Sequence, residues 1–129
     1  DFGYIFGDDP KKKYVNPPPF RITNSMVVAM GGQEGKYFAQ FCKLAIEAYK
    51  QLRRNAVLIM SLLRLMKDAG IEALQVNPDD KLRFVEERFR LDLDDESAEE
   101  EFLKLISDSL SHVGIQVLEG FHNIARAFR

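Results

Sequence analysis

Asp1-Phe2-Gly3 stands at the head of a proline-rich stretch, DFGYIFGDDPKKKYVNPPPF, in which Lys11, Lys12 and Lys13 sit side by side. A carboxylate at a glycine-containing turn can hold a divalent cation, and three nearby ammonium groups can screen phosphate charge as point donors. Taken alone, both features have plainer readings. Asp and Gly make ordinary turns, and adjacent lysines make ordinary solvated loops. Context separates the readings. A metal-holding Asp needs a rigid strand end before it and a mobile loop after it, with cations where an anionic substrate arrives.

Other chemistry-bearing residues are less organised. Asp92, Asp94, Asp95, Glu96, Glu99, Glu100 and Glu101 crowd into residues 92–101. They read as a solvated helix start, since the helix dipole favours acids near an N-terminus. His112 and His122 have no ligand partners at useful spacing and read as structural or surface residues. Cys42 stands alone. It cannot close an internal disulfide, reads as a small core hydrophobe, and fits a reducing cytosol.

Near the end, Val117, Phe121, Ile124 and Phe128 recur at helical steps, with Arg126 and Arg129 close by. An amphipathic helix over about 112–128 with terminal cations suits a membrane interface. The same stripe would also serve to pack on a neighbouring lobe.

The elements that would position these groups are helical. Residues 1–22 read as an extended loop, because Pro10, Pro17, Pro18 and Pro19 forbid a helix interior. Tyr4-Ile5-Phe6 suggests a short strand at its start. Thr23 or Asn24 caps a first helix, stopped by Gly31-Gly32. A second runs from about Lys36 to Arg53, with Phe38, Phe41, Ala45, Ala48, Tyr49 and Leu52 inward. A third spans about Asn55 to Ala69. Asn77-Pro78 opens a fourth, carrying Leu82, Val85 and Phe89. Asp94 or Asp95 caps a fifth, with Ala98, Phe102, Leu105 and Ile106 inward. Residues 23–129 thus read as a helical segment behind the loop.

Bulk properties narrow the classes. The chain has 129 residues, 46% of them hydrophobic, which is enough for about one packed domain. A net charge of −2 gives no overall electrostatic case for nucleic acid. The apolar run Ala56–Met66 is interrupted by Ser61 and Arg64. It is shorter than the ~20 residues a bilayer requires and reads as a buried core helix. Nothing at the N-terminus reads as a signal peptide.

Further blocks join the opening tripeptide in order: DFGYIFGDDPK, PPPFRIT, MVVAMGG, LRRNAVLIMSLLRLM, ERFRLDLDDE and FHNIARAFR. Together they resemble the C-terminal part of phosphatidylinositol 3-kinases along the whole chain, most closely the class III, vacuolar-sorting type. The first is similar to DFGYILGRDPK of that class and ERFRLDLDDE to KFRLDLSDEE. The long apolar helix is similar to its LRR-N-x-x-LILNLF-x-LM segment. Asp8 stands where the class has Arg, Lys12-Lys13-Tyr14-Val15-Asn16 lengthens the loop, and Ala127-Phe128 replaces a Tyr-Trp pair.

This resemblance implies a mainly α segment: the helical C-lobe portion of a protein-kinase-like α+β fold, with an extended activation loop at residues 1–22. It implies that Asp1 ligates Mg²⁺ (or Mn²⁺) between ATP phosphates, with Phe2 and Gly3 setting its position. Lys11 would lie near the head group or the transferred phosphate, with Lys12 and Lys13 in the same substrate loop. Phe121, Ile124, Phe128 and Arg129 would belong to a membrane-facing helix. The implied reaction moves the ATP γ-phosphoryl group to the 3-hydroxyl of phosphatidylinositol. The implied setting is cytoplasmic, peripheral on endosomal or autophagic membranes. Implied partners are the N-terminal remainder of the kinase domain and regulatory scaffold and adaptor subunits.

The chain has no Asp-Arg-His-x-x-Asn segment, so the isolated fragment is expected to be inactive. The alternatives are a phosphatidylinositol 4-kinase or related-kinase lobe, and a non-catalytic helical module that binds membranes or partners. An ordinary Ser/Thr protein kinase fits poorly, since no Ala-Pro-Glu follows the loop.

Overall fold

The computed structural model describes residues 6–7 and 18–111. Among them all regular structure is helical, in keeping with the mainly α class expected from the sequence. Five α-helices follow in order: α1 Asn24–Ala29, α2 Lys36–Arg54, α3 Ala56–Leu65, α4 Pro78–Arg88 and α5 Asp95–Ser111. Two 3₁₀ turns, Met66–Asp68 and Glu72–Leu74, lie between α3 and α4.

The ends of these helices follow local chemistry. Thr23 caps α1, its hydroxyl accepting from Met26 N–H at 3.3 Å. The helix closes when Gly31 N–H donates to Val28 O and Gly32 N–H to Val27 O. Both glycines hold positive φ, +85° and +86°, the conformation this helix stop demands. Asn55 separates α2 from α3; its amide donates back to Gln51 O at 2.8 Å. Asn77 takes a left-handed φ of +49°, which asparagine tolerates, and Pro78 occupies the first turn of α4. Asp94 caps α5, its carboxylate accepting from Ser97 N–H at 2.8 Å.

Contacts divide the chain into two units. One comprises residues 47–98 together with Phe6 and Gly7. Its core joins Ala56 and Met60 of α3 to Leu82 of α4 and to Phe89, with Ile59, Leu63 and Val85 beside them. The other comprises residues 18–46 and 99–111. Its core gathers Ile22, Val27, Phe38 and Ile106, flanked by Phe20, Phe41 and Phe102.

The faces of the helices depart from expectation in places. The run Ala56–Met66 is core on one face only. Met60 is 2% exposed, whereas Val57, Leu58, Leu62 and Leu65 are exposed, Leu65 to 79%. Only Ser61 and Arg64, both exposed, interrupt the apolar run, so periodicity marks its inward face weakly, and α4 covers one side. Ala48, Leu52 and Leu105 were expected inward and are exposed, while Arg53 and Ser109 are buried instead. Phe6 lies in a turn at φ +55°, which no extended strand contains; Tyr4 and Ile5 lie outside the described residues. Among the described residues, no helix is long and apolar enough to cross a membrane.

Candidate functional site

The residues to which the sequence reading assigns chemistry lie outside the described residues: Asp1, Phe2, Gly3, Lys11, Lys12, Lys13, Phe121, Ile124, Phe128 and Arg129, together with His112 and His122. The structure does describe two points in residues 1–22 that meet the helices, one in each unit.

The first point is the Phe6-Gly7 turn. Both residues have positive φ, +55° and +80°, and a bulky residue in that region is a genuine outlier. Gly7 lies against the ring of Phe84 on α4. A Cβ at Gly7 would stand 3.1 Å from Phe84 Cε2 and Cζ. The guanidinium of Arg88, one helical turn further on, sits over the same ring at 4.3 Å from its centroid, a favourable cation–π distance. The Tyr49 hydroxyl donates to Arg88 O at 3.0 Å and ties the end of α4 to α2.

The second point is the end of the proline stretch. Phe20 packs edge-on against Phe102 with centroids 5.3 Å apart. Its N–H donates to Ser109 Oγ at 3.2 Å, and that hydroxyl donates in turn to Leu105 O at 2.7 Å. Ser109 is fully buried, so both capacities of its hydroxyl are used where water cannot substitute. Ile22 then enters the core. The segment after Pro19 is thereby fastened to α5.

Arg53 organises the turn between α4 and α5. Its Nη1 donates to Phe89 O at 2.7 Å and also to Arg90 O; its Nη2 donates to Leu93 O at 2.8 Å. Its Nε reaches Asp95 Oδ1 at 3.3 Å. A planar guanidinium spreads five N–H donors in a fixed fork and so reaches acceptors that a compact ammonium cannot span. Arg90 is held at a left-handed φ of +46°, and its carbonyl is one of those Arg53 secures.

The acidic block resolves into helix-start chemistry. Asp94 sits below the ordinary carboxylate value because the Ser97 N–H bonds its charged form. Asp92 is lowered chiefly by its bond to the Arg90 guanidinium. Asp95 pairs with Arg53. Among the described residues, no three His, Cys, Asp or Glu side chains gather as a metal site. Partial burial raises the Cys42 thiol, which suits a packing role rather than a nucleophile.

Sequence reasoning missed Arg53, Phe84 and Ser109. A signal existed for two of them. Arg53 continues the face set by Ala45 and Tyr49 at four-residue steps, and Ser109 continues that of Ala98, Phe102 and Ile106. Phe84 carried no signal, since its partner is a glycine distant in sequence.

A family model described as phosphatidylinositol 3- and 4-kinase matches residues 1–76. The phosphatidylinositol 3-kinase root isoform of Glycine max is 40% identical over all 129 residues of this chain, which cover 16% of that protein. Phosphatidylinositol 3-kinase VPS34 of Arabidopsis thaliana is 38% identical over 100% of the chain and 16% of its own length. The VPS34 protein of Saccharomyces cerevisiae is 37% identical over 100% of the chain and 14% of its own length. The chain therefore spans less than a fifth of these curated relatives, 14–16% of each.

Proposed function

The chain belongs to the phosphatidylinositol 3- and 4-kinase family, and from that premise we propose that it serves in an enzyme transferring the ATP γ-phosphoryl group to the 3-hydroxyl of phosphatidylinositol. The observation that carries this reading is similarity to phosphatidylinositol 3-kinases along the entire chain. Residues 1–22 act as its activation loop and residues 23–129 as part of its helical lobe.

Within that loop Asp1 holds a divalent cation, Mg²⁺ or Mn²⁺, with Phe2 and Gly3 fixing its backbone. A cation there supplies charge neutralisation between nucleotide phosphates. Asp1 offers one carboxylate, and among the described residues no cluster of three possible ligands occurs. Lys11, Lys12 and Lys13 bring ammonium charge toward the lipid head group and the transferred phosphate. The chain lacks an Asp-Arg-His-x-x-Asn segment, so the base for the attacking hydroxyl comes from elsewhere, and the chain alone turns over no ATP. The terminal stripe of Phe121, Ile124 and Phe128, with Arg129, meets the surface of endosomal or autophagic membranes, where scaffold and adaptor subunits hold the enzyme.

The test is the position of the phosphate. The full-length protein carrying this chain, given phosphatidylinositol vesicles and ATP, is expected to yield the 3-phosphate on chromatographic separation of the isomers. A 4-phosphate product would move the chain to the sister branch of the family.

A further inference from the structure

We propose that Phe84 and Arg88 form a seat for the Phe6-Gly7 turn, and that Phe84 is thereby a positioning residue for the loop that begins at Asp1. The inference rests on the lipid-kinase reading above for its catalytic consequence, and on geometry alone for the seat.

Gly7 approaches the Phe84 ring so closely that a Cβ would stand 3.1 Å from Cε2 and Cζ and 3.2 Å from Cε1. Its φ of +80° and that of Phe6, +55°, belong to a backbone that few residues adopt without support. The support is a packed helix rather than another loop. Leu82 and Val85 bind α4 into the core with α3. Arg88 lies over the Phe84 ring, and the Tyr49 hydroxyl fixes the carbonyl of Arg88. A seat on a rigid element holds its occupant more narrowly than one on a loop. Gly7 stands six positions after Asp1 in the sequence, so a fixed point at Gly7 constrains the chain leading away from Asp1.

The experiment uses the full-length protein with Phe84→Ala, Phe84→Tyr and Gly7→Asn. Asparagine tolerates the left-handed backbone, so Gly7→Asn tests the close approach to the ring without disturbing α4. The readouts are hydrogen–deuterium exchange by peptide, and kcat for phosphatidylinositol phosphorylation against Mg²⁺ concentration. Phe84→Ala and Gly7→Asn are expected to speed exchange at Phe6 and Gly7 by about tenfold while α5 peptides stay unchanged. Both should lower kcat by about tenfold and raise the Mg²⁺ needed for half-maximal rate, with KM for the lipid unaltered. Phe84→Tyr keeps the ring and should behave as the parent protein.

Unchanged exchange at Phe6 and Gly7 in Gly7→Asn overturns the seat. Faster exchange with unaltered Mg²⁺ dependence overturns the positioning role. If the parent protein phosphorylates no phosphatidylinositol, the lipid-kinase reading fails, and the exchange data still decide the seat.

Discussion

Arg53 shows how one side chain can hold a connection between helices. It is 9% exposed, yet its guanidinium is satisfied by the carbonyls of Phe89, Arg90 and Leu93 and by Asp95. Removing it leaves acceptors without donors, each costing roughly 1–3 kcal/mol when buried. Arg53→Met is therefore expected to lower unfolding free energy by about 2–4 kcal/mol in urea titrations, and Arg53→Lys by roughly half that, since an ammonium cannot span the same acceptors. Asp94 makes a prediction in pH. Its folded value lies below the ordinary 3.8 because Ser97 N–H bonds the carboxylate. Its contribution is thus complete above 3.8 and is lost as pH falls through the lower folded value. Asp94→Asn keeps a capping oxygen but no titration, so its acid unfolding curve should be flatter than that of the parent protein. The two residues differed in legibility. Asp94 acts on Ser97, three positions on, and a capping signal is local. Arg53 acts on atoms 36 to 42 positions away, which no window along the chain reveals.

Helix limits were readable because their signals are short-range: Thr23, the Gly31-Gly32 pair, Pro78 and Asp94 each sit at the end they set. Helix faces were less so. In α5 the stripe through Ala98 and Ile106 ends on the buried serine Ser109 rather than on Leu105. In α3 nearly every residue is apolar, and only packing against α4 selects Met60 over Leu65. That difference is measurable within one helix. Met60→Ala should cost about 2–5 kcal/mol, as buried large-to-small changes do. Leu65→Gln, at a position 79% exposed, should change the stability of this chain by no more than about 0.5 kcal/mol. Chemical denaturation of the two variants side by side checks both values.

At the scale of the molecule, the sequence carried the family and the class of fold, because its blocks recur in order along the chain. The structure adds where the loop of residues 1–22 meets helices: Gly7 on Phe84, and Phe20 on Phe102 and Ser109. Neither meeting point was readable beforehand: the face through Ala98, Phe102 and Ile106 leads to Ser109, but its partner Phe20 lies 89 positions away, and a ring over a glycine leaves no periodic trace. Asp1, the three lysines and the terminal stripe keep the roles proposed for them on the strength of sequence. The most direct measurement is therefore the rate at which the full-length protein forms phosphatidylinositol 3-phosphate, compared with its Asp1→Asn variant. The expected result is 3-phosphate from the parent protein and a loss of about a hundredfold or more in kcat on removing the charge of Asp1. An Asp1→Asn variant that makes the 3-phosphate at the parent rate would contradict it.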